Sequence, residues 1–316
     1  RVPDGEHRPR GATAPGPVDE VERLRAVPDP ASGVRAILEQ THQRTDTAAT
    51  AGADPAGSTA FLRQAHHNNW QRYLAALDPA GPAGRRGWDL ILLTASDEGQ
   101  AAAYRRQLDW RREAGLLPVT ARFAVVPDPG GRRIGSGRAT LAGLAEARDS
   151  QRTLIIHSGG DSRRLPHCSA SGKLFARVPR TLPDGRASSV FDEFLISLAG
   201  LAELLPPGTL VASGDVLLVF DHLQLTFARP GVAGVAAAIP VEMGLKHDVY
   251  VTDSTGHSVS GRGGHGATGG RDHRVVAYLH KPGRDELQAW GAIRDGTVQL
   301  DTGLVWFDGP TIGRLL

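Results

Sequence analysis

Between residues 157 and 173 the chain reads HSGGDSRRLPHCSASGK, a glycine-rich stretch with two adjacent arginines and a closing lysine. Gly159 and Gly160 let the backbone approach an anion closely. Ser162 lies beside them, and Arg163, Arg164 and Lys173 carry the charge to neutralise a triphosphate and the pyrophosphate formed from it. A solvated basic turn has the same composition, but a second phosphate-type segment lies just upstream. There Gly135, Ser136, Gly137, Arg138, Ala139 and Thr140 open a helix, where glycine N–H groups and the positive end of the helix dipole favour an anion. That loop lacks the Lys-Ser/Thr ending of a P-loop, and alone it is equally well a simple turn.

Three further elements bear chemistry. Ser213-Gly214-Asp215-Val216 ends an apolar run, and an aspartate there can hold Mg²⁺ between phosphate oxygens and the sheet edge. A strand-ending turn aspartate is the plain alternative. Lys281, within His280-Lys281-Pro282, can reach a sugar-phosphate anion, while Asp301 and Thr302, ahead of Gly303, can hydrogen-bond sugar hydroxyls. Cys168 is the single cysteine, so no intrachain disulfide framework and no structural zinc site of several thiolates is possible. Its basic loop favours a thiolate, yet no His/Asn arrangement of a cysteine hydrolase accompanies it, and the residue is taken as incidental.

These groups need a scaffold. WDLILLTAS from Trp88 reads as a strand buried on both faces, and Ser96 is the expected N-cap of a helix running to about Ala114, with Gly115 as its stop. VTARFAVVPD, TLIIHSGG and TLVAS are further strands, and IGSGRATLAGLAEA leads from glycines into a helix. Val190 to Leu205 places Phe191, Phe194, Leu195, Leu198, Leu201 and Leu205 at helical spacing. Later runs (GVAGVAAAIPV, DVYVTDS, RVVAYLH and DTGLVWF) are short and strand-like, and SGRGGHGATGG between them reads as a flexible turn. The expected fold class is α/β, an open, mostly parallel sheet flanked by helices, with ligands beyond the carboxyl ends of its strands. Residues 1–84 are expected to form an N-terminal extension. Segments 1–16 and 46–57 are weakly patterned, 18–27 and 34–43 are short helices, and a stronger helix from Ser58 carries Phe61, Leu62, Trp70, Tyr73, Leu74 and Leu77. Residues 85–316 form the main domain.

The balance of residues narrows the function. Formal charge is only +2, so anion recognition must be local, and no general nucleic-acid or membrane role is expected. No apolar run approaches the ~20 residues of a spanning helix, and the start lacks the hydrophobic region of a signal peptide, so a cytoplasmic location is the default expectation. With 39 Gly and 21 Pro, many turns and long loops are expected.

Together these segments resemble the L-fucose-1-phosphate guanylyltransferase family, including the nucleotidyltransferase half of bifunctional fucokinase/GDP-fucose pyrophosphorylases. The resemblance runs from about Trp88 to Asp308 through WDLILLTASDE, IGSGRATL, IIHSGGDSRRLPHCSASGKLF, LVASGDV, KHDVYVTD, YLHKP and DTGLVWF. It implies a Rossmann-like nucleotidyltransferase fold and the joining of GTP and a sugar 1-phosphate, L-fucose 1-phosphate first, to give GDP-sugar and pyrophosphate. Arg163 and Lys173 match the signature's basic positions and are assigned to the phosphates. Gly135 to Thr140 is assigned to the nucleotide, Asp215 to Mg²⁺, and Lys281 and Asp301 to the sugar-phosphate side. His247 falls in a matched segment and joins the sugar-phosphate group by resemblance alone. Arg138 stands where these enzymes usually have glycine, and the second metal-binding carboxylate that related nucleotidyltransferases use late in the fold is not assigned to a residue of this sequence. The family continues into a β-helical region and often a sugar kinase, so the main domain is expected to be C-terminally incomplete and to work beside a sugar kinase domain or subunit. Two alternatives remain, a non-catalytic nucleotide- or sugar-binding module and the same chemistry with another sugar or base. Retention of Lys173, Arg163 and Asp215 together favours catalysis.

Overall fold

Branched apolar runs set the centre of the sheet, and a computed structural model of the chain places them there. It describes residues 55–78, 87–132, 134–147, 150–158, 168, 172–225, 227, 229–253 and 273–316. The helices expected at 18–27 and 34–43, the weak segments 1–16 and 46–54, loop positions 159–164 and the glycine-rich stretch 260–270 lie outside the described residues. The elements run α1 Pro55–Leu77, β1 Leu90–Ala95, α2 Glu98–Glu113, β2 Arg122–Pro127, α3 Gly135–Glu146, β3 Arg152–His157, β4 Arg177–Thr181, β5 Ala187–Ser189 and α4 Val190–Ser197. They continue with α5 Leu201–Leu204, β6 Gly208–Ser213, β7 Val232–Pro240, α6 Val241–Gly244, β8 Val249–Thr252, β9 Val275–Leu279, α7 Arg284–Ala289, β10 Thr297–Asp308 and α8 Gly309–Leu315.

Strands β2, β1, β3 and β6 are parallel neighbours in that order. The long strand β10 then pairs antiparallel with β6 through Leu304–Asp308 and with β8 through Gln299 and Leu300, while β7 runs along it from Thr297 to Phe307. Strand β9 pairs antiparallel with β8 and ends the sheet order. The open α/β sheet flanked by helices is therefore as the sequence implies, with the antiparallel strands gathered after β6. The hairpin β4–β5 forms a separate two-stranded sheet that the apolar pattern had not marked.

Alternation within β1 and β3 explains why both read as continuous apolar runs. Ile91, Leu93, Leu154 and Ile156 join the larger core with Tyr104 and Leu108 of α2 and Phe191, Phe194 and Leu195 near the start of α4. Leu90, Leu92 and Ile155 face the other way, against Leu144 of α3. Each fully buried Leu or Ile contributes about 1.5–3 kcal/mol, so two apolar faces are what hold these strands central. Helix α1 buries Trp70 and Tyr73 in the same core as Trp88, while Phe61, Leu62 and Leu74 stay exposed.

Two boundaries differ from the expectation. The N-cap of α2 is Asp97 rather than Ser96: its carboxylate accepts from the Gln100 N–H at 2.8 Å, and the Ser96 hydroxyl itself donates to that carboxylate at 2.9 Å. An ionised carboxylate is the stronger acceptor at a helix start. The expected single helix from Val190 to Leu205 is broken between α4 and α5. Gly200 sits where an added Cβ would lie 2.5 Å from the His222 ring, so the turn there is shaped by close approach of a distant residue. All six of its spaced apolar residues are nonetheless buried.

Candidate functional site

The site forms at the carboxyl ends of β1, β3 and β6, the edge at which open parallel sheets bind ligands. Strand β6 delivers Asp215. For this the backbone of Gly214 must pass against β3: its N–H bonds the His157 carbonyl at 2.6 Å, and an added Cβ would lie 2.3 Å from that oxygen. The Ser213 hydroxyl donates to Asp215 Oδ1 at 3.1 Å.

Lys173 arrives from the far end of the basic loop. Its Nζ lies 3.8 Å from Asp215 Oδ2, with the two side chains 36% and 58% exposed. Such an open ion pair contributes only about 0–1 kcal/mol, so an anion can draw the lysine away, and a cation the aspartate, at little cost. The lysine's backbone is much less free. Gly172 has φ +69° and backs onto Tyr104, whose hydroxyl would be 1.9 Å from an added Cβ. The next carbonyl, that of Leu174, accepts from the Phe191 N–H at 2.7 Å. Gly172→Ala is therefore expected to destabilise the protein by about 2 kcal/mol or more, from left-handed backbone and overpacking together. Urea denaturation checks it, and adding Tyr104→Phe should recover part of the loss. A stable Gly172→Ala protein would show that this segment tolerates movement.

Helix α3 presents its first turn at the same edge. Gly135 has φ +78°, and Gly135, Ser136, Gly137 and Arg138 are exposed. No side chain caps this helix, so its first N–H groups have no side-chain partner at the cap position. Thr140 turns inward and its hydroxyl donates to the Ser136 carbonyl at 2.9 Å. Of the basic loop, Gly159, Gly160, Ser162, Arg163 and Arg164 lie outside the described residues; Cys168 is buried.

The remaining assigned residues gather around β8, β9 and β10. A bulge between Asp301 and Leu304 breaks the register of β10 against β7, and there Gly303, at φ +76°, packs its Cα on Ser213, one strand over from Asp215. Asp301 Oδ1 accepts from the Tyr250 hydroxyl at 3.0 Å and the Gly303 N–H at 2.8 Å. The Thr302 hydroxyl is turned away and donates to the Val235 carbonyl at 2.7 Å. Lys281 is exposed at φ +46° after His280, and His247 is exposed with its N–H bonded to the Gly244 carbonyl at 3.2 Å.

The sequence reading had not singled out Asp248, Tyr250 and Tyr278, although they sit inside the segments KHDVYVTD and YLHKP. The Tyr278 oxygen lies 2.7 Å from Asp248 Oδ2 and 3.1 Å from Asp301 Oδ2. One hydroxyl proton can serve only one of them, so the second carboxylate oxygen faces an acceptor and suits a ligand hydroxyl or cation. His280 Nδ1 is 2.7 Å from Asp248 Oδ1. Burial pushes the Asp248 carboxyl up, but the Tyr278 hydroxyl and His280 outweigh it and hold it below the usual range. Burial and the two carboxylates raise both tyrosines well above the ordinary phenol value.

An uncapped glycine-rich helix start, a solvent-open lysine–aspartate pair and a carboxylate–tyrosine cluster thus stand on an open α/β sheet of the class that places its sites beyond the carboxyl ends of parallel strands. The family model of the fucose pyrophosphorylase domain matches residues 146–316, and the chain belongs to that family. It is 31% identical over 248 residues to the fucose-1-phosphate guanylyltransferase of Mus musculus, covering 74% of this chain and 40% of that protein. It is 32% identical over 270 residues to the bifunctional fucokinase/GDP-fucose pyrophosphorylase of Arabidopsis thaliana, covering 72% of this chain and 24% of that one. The human fucose-1-phosphate guanylyltransferase is 29% identical over 225 residues, 65% of this chain and 34% of its own. The chain thus spans two fifths or less of the length of these relatives. No solved structure matches it. Among the described residues no helix is long and apolar enough to cross a membrane.

Proposed function

We propose that this chain is a nucleotidyltransferase that joins GTP and a sugar 1-phosphate, L-fucose 1-phosphate first, into GDP-sugar and pyrophosphate. The observation that carries the reading is Lys173 beside Asp215, at the sheet edge that also holds the uncapped turn of α3. The names of the mouse, human and plant relatives supply the base and the sugar.

In this reaction an oxygen of the sugar phosphate attacks the α-phosphorus of GTP. A new P–O bond forms there as the bond to the bridging oxygen of pyrophosphate breaks, and the electron pair leaves with pyrophosphate. No nucleophilic side chain is needed. The chain's residues hold both anions in line and meet the charge that develops on the bridging oxygen. In this reading Lys173 follows that charge, and the α3 amides hold the nucleotide phosphates. Asp301, with Tyr278 and Asp248, accepts hydrogen bonds from sugar hydroxyls, and Lys281 meets the sugar phosphate.

The donor set fits Mg²⁺ carried by the nucleotide. Mg²⁺ keeps several waters and takes one or two carboxylates plus phosphate oxygens, and Asp215 is one exposed carboxylate at the phosphate edge. Among the described residues there is no group of three His, Cys, Asp or Glu that could hold a metal ion. When bound, the ion would neutralise phosphate charge beside Asp215. Asp215→Asn is expected to raise the Mg²⁺ concentration for half-maximal rate by about tenfold, because ligand charge sets affinity. An unchanged Mg²⁺ dependence would remove Asp215 from this role.

A sugar kinase would supply the sugar 1-phosphate, an activity that the plant relative's name places on the same polypeptide. The deciding experiment is pyrophosphate release with Mg²⁺, testing GTP, ATP, UTP and dTTP against the 1-phosphates of fucose, mannose, galactose and glucose. Turnover confined to GTP with fucose 1-phosphate is expected. Nucleotide binding without turnover on any pair would make the chain a binding module instead.

A further inference from the structure

His157, the last residue of β3, stands between two threonines that belong to different elements of the site. Its Nδ1 is 3.2 Å from the hydroxyl of Thr94, near the end of β1, and its Nε2 is 2.8 Å from the hydroxyl of Thr140, in the first turns of α3. The hydrogen at the Thr140 end is already committed. Thr140 gives its proton to the Ser136 carbonyl at 2.9 Å, so it can only accept from the ring, and Nε2 must carry hydrogen. A neutral imidazole carries a single hydrogen, so with Nε2 protonated Nδ1 is bare and accepts from the Thr94 hydroxyl, whose oxygen also takes the Ser158 N–H at 3.3 Å.

The hydrogen bonds therefore run one way, from Ser158 N–H through Thr94 and the imidazole to Thr140 and the Ser136 carbonyl. A second proton on the ring would leave the Thr94 hydroxyl with no acceptor in this chain of contacts. Burial also disfavours the charged ring and lowers its pKa. Meanwhile the His157 carbonyl receives the Gly214 N–H at 2.6 Å, so the same residue touches the turn that delivers Asp215.

We propose that His157, as its Nε2–H tautomer, is the positioning residue of the phosphate edge, tying the exposed turn Gly135–Arg138 to the ends of β1 and β3. The inference rests on the reading that this turn holds nucleotide phosphates, but the tie itself is testable without nucleotide. The helix has no side-chain cap, and Thr140 is where its first turn meets the sheet through hydrogen bonds.

The test uses the full chain, with nitrogen NMR of labelled histidine, amide exchange and GTP calorimetry. The signal lost in His157→Gln identifies the residue, and its proton is expected on Nε2; a proton on Nδ1 overturns the assignment. In the nucleotide-free protein His157→Phe should speed exchange at the Ala139 and Thr140 amides by about tenfold, the effect of losing one ordinary hydrogen bond's worth of tethering. His157→Gln, which keeps a donor toward Thr140, should restore most of the protection. GTP affinity should fall by about tenfold in His157→Phe and in Thr140→Val, with no further loss when the two are combined. Unchanged exchange, or additive losses, would overturn the proposal. If the wild type shows the expected tautomer and protection but binds no GTP, the nucleotide reading fails and the positioning of the turn stands.

Discussion

Lys173→Ala is expected to lower kcat for GDP-sugar formation by about 10²-fold or more, the scale of removing one donor that acts in the transition state. Its stability should be nearly unchanged, because the lysine's ion pair with Asp215 is open to solvent and worth about 0–1 kcal/mol. The ammonium matters more in the transition state than in the ground state, since charge grows on the bridging oxygen as pyrophosphate departs. KM for GTP should therefore move less than kcat. Lys173→Arg should restore only part of the rate, because a planar guanidinium cannot reproduce a compact point charge held by the Gly172 backbone. Steady-state pyrophosphate release measures the rates and KM, and urea denaturation the stability. Turnover near wild type in Lys173→Ala would take the lysine out of the chemistry.

What the chain reveals before it folds depends on how local the signal is. Strands β1, β3 and β6 were legible because each apolar run carries its own burial, and both faces of β1 and β3 are covered. The turn at Ser213-Gly214-Asp215 was legible for the same reason, as a polar stop after an apolar strand. Asp97 displaced Ser96 as cap because its carboxylate takes the Gln100 N–H while the Ser96 hydroxyl donates to that same carboxylate, a choice between neighbours that composition does not decide. Breaks and clusters made by distant residues were not legible. Gly200 looks like any helix glycine until His222 is packed against it, and Gly172 looks like loop until Tyr104 is behind it.

The same limit explains the residues the sequence did not name. Asp248, Tyr250, Tyr278 and Asp301 become one cluster only because β8, β9 and β10 pair antiparallel across 30 and 51 positions of chain. Tyrosine in a strand is ordinarily a packing residue, so nothing marked these two. His157 was read as the end of an apolar strand, and its partners Thr94 and Thr140 are 63 and 17 residues away. Conversely Thr302, singled out for its hydroxyl, spends it on the Val235 carbonyl.

Arg111→Met is expected to destabilise the protein by about 3–5 kcal/mol, the cost of breaking a buried ion pair from one side. Arg111 and Asp192 are 4% and 5% exposed, and the guanidinium donates to Asp192 Oδ1 at 3.0 Å and Oδ2 at 3.3 Å. It also reaches the Ser189 hydroxyl at 3.1 Å and the Gln107 side chain at 2.8 Å. Its flat face lies 5.0 Å from the centre of the Phe175 ring and 5.4 Å from that of Phe191. Removing it leaves Asp192 buried without its cation while that carboxylate still completes the capping box of α4 with Ser189. Neutralising the orphan should therefore recover much of the loss, and Arg111→Met/Asp192→Asn is expected to be more stable than Arg111→Met alone, since the amide oxygen can still accept from the Ser189 N–H. The stack also connects this pair to the site. Phe175 lies 5.2 Å from Tyr104, the ring behind Gly172, so the segment that aims Lys173 rests on Arg111 through two aromatic contacts. Urea denaturation of the two variants decides the point. A loss below about 1 kcal/mol in Arg111→Met, the range of an exposed pair, would mean that water replaces the guanidinium and that the support under Lys173 is apolar alone.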